Sequence, residues 1–401
     1  METFEIHQET LVENDKTKKI PVLFIISVVA AVIGIGLIVF TILRPREQVA
    51  ELVFPTIPSQ ADDDNIYSVL TGQEIADAKL NTSPTYCIQT PNGTDGARPQ
   101  AGLDQAGVVF EAIAEAGITR FAAIYQNPTA AVIGPIRSLR MYYLEWDTPF
   151  DCTIVHAGGA DDALAALKSG GYKDLTENYA YMYRGRVSSR RWNNLFTTAT
   201  ELKQFTSDKG YGTSNVKSLT RQTPAEAERA RVDSLAMNKL NIIEATAEDT
   251  NAMAVKVANI VIEFGGMPNY NPVYNYNAST NSYDRSYASG VAHQVYSCPS
   301  EDLGEPDPEK ACSLAQLSPK VVIVMKVKEH KASDNYHEAI TTTGTGEAYV
   351  FQNGVAVKGT WRKNTRDEQL KFYDADGKEI ALVPGQIWIS AVPEYGSVAY
   401  E

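Results

Sequence analysis

The chain has 401 residues, a formal net charge of −13 and 44% hydrophobic residues. So acidic a chain is a poor general binder of nucleic acid or anionic lipid, and its length is enough for two or three domains. Its first 46 residues hold five acidic and five basic groups, so the whole negative charge belongs to residues 47–401.

Ile20 to Leu43 reads IPVLFIISVVAAVIGIGLIVFTIL, 24 residues without a charge. As a helix this run is about 36 Å long, enough to cross a hydrocarbon core of roughly 30 Å with some tilt. It exceeds the roughly 7–15 apolar residues of a signal peptide, and Thr41 to Pro45 offers no small-residue cleavage site. No cysteine follows closely to carry a lipid. A single transmembrane helix over 20–43 is therefore predicted. Lys16, Lys18 and Lys19 precede it and Arg44 and Arg46 follow it, which places the tail 1–19 in the cytoplasm and the rest outside the cell membrane. Residues 44–65, with prolines and the run Asp62-Asp63-Asp64, read as a stalk.

From 66 to 222 short apolar runs alternate with helical stretches, the pattern of a mixed α/β domain. CTIVHAGG reads as a short strand ending in glycines. ADDALAALKSGG reads as a helix capped by Asp161 or Asp162 and stopped at Gly170. Thr223 to Ile243 is rich in helix formers and predicts a connecting helix within 223–250. From 251 to 401 the texture is β-branched, and the turn pairs Asn353-Gly354 and Asp376-Gly377 predict hairpins. The fold class expected is α+β: an anchor helix, a mixed α/β domain, then a mostly antiparallel β domain.

The four cysteines, Cys87, Cys152, Cys298 and Cys312, all lie after the anchor, where an oxidising exterior permits disulfides. Cys298 and Cys312 flank a polar loop, and a bridge there would contribute about 3 kcal/mol by loop closure; Cys87–Cys152 is the remaining pair. Metal binding is the rival reading, but the chain lacks a C-x-x-C spacing or a nearby histidine pair.

Candidate chemistry is densest from Ala97 to Gly159. Glu111 and Glu115, four apart, share a face on a helix or a strand. They lie about 6 Å apart on a helix and about 13 Å on a strand, and only the first spacing suits a glycosidase-like acid/base pair. The alternation of VVFEAIAEAG argues for a strand, with both carboxylates paired to nearby arginines. Gly134-Pro135 before IRSLRMYYLEW reads as a helix start, whose free N–H groups favour an anion. Arg137 and Arg140 lie near one face of that helix, Arg98 and Arg120 flank the preceding segment, and Arg190-Arg191 come later. Together these arginines suggest a carboxylate or phosphate pocket. Pairing with Glu111, Glu115, Glu145 and Asp104 is the structural alternative, and both can hold for one pocket. His156, at a strand end before Gly158-Gly159, is placed either as a proton carrier in a cleft or as a satisfied structural histidine. His330 and His337 lack a third ligand. There is no G-x-S-x-G, Walker or H-E-x-x-H motif, so no nucleophile, metal or cofactor is expected.

The motifs ARPQAGLDQAG, GITRF, GPIRSLR and VHAGG are joined later by YDRSY (Tyr283 to Tyr287), GTGEAYVFQNG, GTWRK and LVPGQIWI. From LTGQEI (Leu70 to Ile75) to the C-terminus, the chain resembles the YerB-like bacterial envelope proteins, a two-domain family of unknown function often described as lipoproteins. The resemblance implies an extracytoplasmic location and two domains, and no established activity. It carries over Arg98, Arg120, Arg137 and Arg140, Glu111 and Glu115, and His156. Where the family usually shows proline-histidine-asparagine, this chain has Trp192-Asn193-Asn194, and Asn193 cannot act as a general base. The expectation is a membrane-anchored, extracytoplasmic binding or scaffolding protein that recognises an anionic group, on a cell-wall polymer or an envelope protein, with no nucleic-acid partner. The alternatives are a wall hydrolase or lyase using Glu111 or Glu115 with His156, and a protein–protein module offering a β edge.

Overall fold

Strands β1 (Thr85–Pro91), β2 (Val108–Glu115) and β3 (Ile118–Gln126) form an antiparallel group with almost no exposed side chain. Such runs need cover on both faces, and the rest of the chain supplies it. These elements belong to a computed structural model that describes residues 65–185, 193–244, 255–298 and 307–401. The predicted tail, anchor helix and the stalk up to residue 64, with Arg190 and Arg191, lie outside the described residues. Among the described residues no helix is long and apolar enough to cross a membrane.

Helix α1 (Met141–Asp147) leads to β4 (Thr153–His156), helix α2 (Asp161–Lys168) and β5 (Lys173–Thr176). β4 pairs parallel to both β1 and β5. Helix α3 (Ala199–Lys209) follows, and then α4 (Pro224–Glu244), close to the predicted connecting helix. Thr223 and Glu226 close a reciprocal cap on α4: the Thr223 N–H donates to Glu226 Oε2 at 2.8 Å and the Glu226 N–H to Thr223 Oγ1 at 3.2 Å.

The second half contributes β6 (Val255–Lys256), β7 (Asn259–Glu263), β8 (Pro272–Asn277), β9 (Ser282–Tyr287), β10 (Val321–Val327), β11 (Gly344–Gln352), β12 (Val355–Lys363), β13 (Lys371–Tyr373), β14 (Ile387–Pro393) and β15 (Ser397–Tyr400). One sheet of eleven strands runs β6-β12-β11-β10-β14-β2-β3-β1-β4-β5, with β13 on β12. Its seam is the parallel pair β14 and β2, where Ile387, Trp388, Ile389 and Ser390 lie opposite Val108, Val109, Phe110 and Glu111. A four-stranded antiparallel sheet, β9-β8-β7-β15, forms separately. Its Ile260, Ile262, Tyr274 and Tyr283 pack with Val109, Phe121 and Trp388 against one face of the large sheet. On the opposite face Tyr142, Tyr143 and Trp146 of α1 pack with Phe110, Ala122 and Ile389.

The Asn353-Gly354 turn joins β11 to β12 with φ of +56° and +69°, the two left-handed residues of a type I′ hairpin. Pairing in the second half is mostly antiparallel, as expected, but β10 and β14 run parallel to each other. Both disulfides are present, Cys298–Cys312 and Cys87–Cys152.

Two local expectations are corrected. Helix α2 is capped by Ala160, with Asp161 and Asp162 inside the first turn, where their charge complements the helix dipole. The Gly134-Pro135 segment does not start a helix. It is extended, with a cis peptide before Pro135, and α1 begins only at Met141. The amides expected to be free are bonded to neighbours: Ile136 donates to the Leu195 carbonyl, Arg137 to that of Gln89, and Leu139 to that of Gly158.

The two halves are held by charged groups as well as by the seam. Glu111 and Arg285 are both fully buried, and Arg285 Nη2 donates to the two Glu111 oxygens at 3.1 and 2.9 Å. Thr119 Oγ1 and Trp388 Nε1 each donate to Glu111 at 2.8 Å. Arg285 also donates from Nε to the Tyr274 hydroxyl at 3.2 Å and from Nη1 to His293 Nδ1. Burial, and then the Arg285 charge, hold His293 well below the usual histidine value. It is neutral, and its Nε2 donates to Gln100 Oε1 at 3.0 Å. A second junction is Arg221, whose guanidinium donates to the carbonyls of Leu70, Val383 and Gly385.

This packing can be tested at two buried carboxyls. Glu111→Leu leaves Arg285 buried without its counter-charge and should cost about 3–5 kcal/mol in urea unfolding, as breaking a buried pair does. The double change Glu111→Leu with Arg285→Met should recover most of that loss; a double variant no more stable than the single one refutes the pairing. Asp147 is fully buried, and burial raises its carboxyl well above the ordinary value against the Gln89 hydrogen bond. A raised native value means stability that is present below the unfolded value, about 3.9, and lost as pH rises toward the folded one. Asp147→Asn should therefore match the parent near about pH 4 and gain on it steadily toward about pH 8, read from unfolding midpoints across that range.

Candidate functional site

β2 and β3 meet at the tight turn Ala116-Gly117, both residues at positive φ. Just before it the register slips: Ile113 lies opposite Thr119, but Glu115 lies opposite Ile118. The extra residue, Ala114, is a bulge, and a bulge reverses which face the next side chain takes. Glu111 therefore faces the four-stranded sheet with Thr119. Glu115, four residues on, faces α1 with Arg120. The expectation that the two glutamates share a face fails at Ala114.

On the α1 side Glu115 is held by two arginines. Arg120 Nη2 donates to Oε1 at 2.6 Å and Arg140 Nη2 to Oε2 at 2.5 Å, with all three side chains at most 15% exposed. Burial pushes the Glu115 carboxyl up, but the charges of Arg120 and Arg140 outweigh it and hold it below the usual range. Burial, aided by Arg140, draws the Arg120 guanidinium down to about 10. Arg120 and Arg140 also donate to the carbonyls of Ser138 and Leu139.

Arg137 completes the group. Its backbone is fixed between the end of β1 and the VHAGG turn, donating to Gln89 and accepting from Ala157. Its side chain makes no hydrogen bond or ion pair among the described residues, and its buried Nε has no partner. Burial lowers its basicity, and the field of Glu115 opposes that fall. Three guanidiniums thus gather around the Glu115 carboxylate, and the half-buried Arg137 is the one left over. Asp95 adds a longer-range attraction to Arg137. Asn193 donates to Asp95 Oδ1 at 2.9 Å.

His156 lies beside this cluster but offers it no ring nitrogen. Nδ1 bonds the Gly158 carbonyl at 2.7 Å and Nε2 bonds Asp174 Oδ1 at 2.9 Å. Arg98 is placed apart from the cluster. Its Nε donates to Asn92 Oδ1 at 2.8 Å, and Asn92 in turn bonds Thr119, on the Glu111 face. Of the seven arginine and histidine positions expected in one pocket, the structure groups Arg120, Arg137 and Arg140, sets His156 next to them, separates Arg98, and does not describe Arg190 or Arg191. His337 pairs with Asp334, and the described residues contain no group of three metal-ligating side chains.

Arg285 and His293 escaped the reading from sequence. The available signal was a charged residue at the centre of YDRSY, between tyrosines that alternate inward. An arginine there must either leave the strand pattern or find a buried carboxylate.

Residues 70–212 match the family model described as "Protein of unknown function (DUF3048) N-terminal domain", and residues 260–389 match the corresponding C-terminal domain. A Bacillus subtilis (strain 168) protein named "Putative lipoprotein YerB" is 27% identical over 312 residues, which is 76% of this chain and 80% of that protein. The crystal structure of YerB protein from Bacillus subtilis shares the fold, with a TM-score of 0.64 at 24% identity, over 83% of this chain and 99% of that one. The chain belongs to the DUF3048 family, with the N-terminal domain of that family followed by its C-terminal one.

Proposed function

We propose that this protein is a membrane-anchored, extracytoplasmic binding or scaffolding protein of the bacterial envelope, and that it recognises an anionic group at Arg137. The observation that carries the reading is the excess of guanidinium over carboxylate around Glu115. Arg120 and Arg140 neutralise Glu115 and are locked by it, while Arg137 keeps donors that nothing described engages. A phosphate or carboxylate arriving there meets a preorganised donor in partly desolvated surroundings, where charge-assisted hydrogen bonds are strongest. Two disulfides support an oxidising compartment. The relative named as a lipoprotein supports membrane attachment, for which Ile20 to Leu43 would serve in this chain.

The hydrolase reading draws less support from the geometry. Glu111 is enclosed with Arg285, Thr119 and Trp388, Glu115 is held by two arginines on the other face, and both His156 nitrogens are engaged. No pair of these groups faces a common space as an acid and base must.

The test uses the full-length chain in detergent and isolated bacterial wall material, with and without its anionic polymers. Arg137→Gln should weaken co-sedimentation about tenfold or more, the loss expected for a charged hydrogen bond of about 1.5–3 kcal/mol, with unchanged thermal unfolding. Binding should also fall as salt rises. Retention of Arg137→Gln equal to that of the parent removes the reading.

A further inference from the structure

Arg98 marks a second place where a cation lacks a carboxylate. It lies in the loop between β1 and β2, and its guanidinium stacks on Tyr287 of β9 with Cζ 3.6 Å from the ring centre. Asn92 Oδ1 accepts from both Arg98 Nε and the Tyr287 hydroxyl, and the Asn269 carbonyl accepts weakly from Nη2 at 3.4 Å. These contacts fix the plane of the guanidinium and leave Nη1 without a hydrogen bond among the described residues. The carboxylate whose field reaches it is Glu111, already ion-paired with Arg285 at 2.9 Å. Around half-buried Arg98 and the buried Glu111–Arg285 pair, guanidiniums therefore outnumber carboxylates by one.

This guanidinium borders an open cleft of about 410 Å³, a size typical of small-ligand sites. Its walls are mixed: Pro99, Val291 and Ala292 offer apolar surface, and Asn269, Ser289 and Gln294 offer amide and hydroxyl groups. A single fixed guanidinium, with no second cation lining the cleft, matches the charge of a monoanion, whereas a doubly charged phosphate would find a partner for only one of its charges. Apolar and amide-compatible walls beside the charge match a carboxylate attached to a peptide backbone with small side chains. Capture of a chain terminus in this way is a recurring mode of peptide recognition. Because Thr119 and Arg120 are neighbours on β3 and point to opposite faces, this cleft is reached from the face opposite the Glu115 cluster.

We propose that the Arg98–Tyr287 cleft binds the free C-terminal carboxylate of a short peptide with small apolar side chains. The carboxylate lies against the Arg98 Nη edge and the side chains lie over Val291 and Ala292.

The test is calorimetric titration of the full-length chain in detergent with N-acetyl-alanyl-alanine, its C-terminal amide, and inorganic phosphate. The acid should bind, and the amide should bind about tenfold or more weakly, the loss of one charge-assisted hydrogen bond. Arg98→Gln should weaken the acid by a similar factor. Val291→Glu, at a side chain 63% exposed, replaces the apolar wall under the peptide side chains with a charge of the same sign as the ligand and should do the same without touching the fold. Should Arg98→Gln fail to reach the parent's melting temperature, Val291→Glu decides alone. Equal affinity for acid and amide overturns the proposal, as does unchanged affinity in Val291→Glu or displacement of the peptide by phosphate at lower concentration than the peptide itself requires.

Discussion

The Glu111–Arg285 pair is the constraint on which the arrangement of this protein depends. Glu111 lies on a strand of the first half and Arg285 on a strand of the second, 174 residues apart and both inaccessible to water. Neither could be buried alone without several kcal/mol of desolvation. Each is tolerable only because the other half of the chain brings its partner. Burial works to lower Arg285, and the Glu111 charge outweighs it and holds the guanidinium protonated. Thr119, Trp388, Tyr274 and His293 complete the shell, so few buried donors or acceptors in this network go unmet. That completeness makes the pair a specifier of one docking arrangement between the four-stranded sheet and the large one, where apolar contacts alone would tolerate sliding.

The Glu115 cluster has the opposite character. It sits a few residues away along the same strand, on the other face, and its charges do not balance. One extra residue, Ala114, separates the two environments. Without that bulge Glu115 would face the four-stranded sheet with Glu111, and Arg120 and Arg140 would be buried beside α1 without a counter-ion. The bulge thus gives two similar carboxylates different surroundings, one paired with Arg285 of the other half and one shared by Arg120 and Arg140.

Much of the architecture was legible in the sequence because it rests on local physics. The Asn353-Gly354 turn, the helix after Thr223, the strand that ends at His156 and the Cys298–Cys312 bridge follow from short-range chemistry, and Cys87–Cys152, 65 residues apart, is the pair that remains. What was not legible depends on partners distant in sequence. The Gly134-Pro135 segment carries a helix-start signature, but its amides are taken by Gln89, Leu195 and Gly158, and tertiary pairing overrides the local preference. Composition marks the arginines as unusual and cannot say which are neutralised. Arg98 and Arg120 look equivalent beside their glycines, yet Arg98 bonds Asn92 on the Glu111 face while Arg120 holds Glu115 on the other. Arg285 was hidden for the same reason, since its carboxylate belongs to the other half.

The seam between β14 and β2 has a consequence for how the chain is made. β2 leaves the ribosome, or emerges on the far side of a membrane, about 280 residues before β14. Until β14 arrives, an apolar strand edge at the middle of the eventual sheet stands open. Such an edge is a template for wrong pairing, and closing it requires contacts of very long sequence separation, which form slowly. Neither half reaches its final burial by itself, although each corresponds to a separate family segment. A membrane attachment of the kind proposed above would hold such an unfinished chain apart from its own copies during that interval, and so would bear on folding as well as on placement.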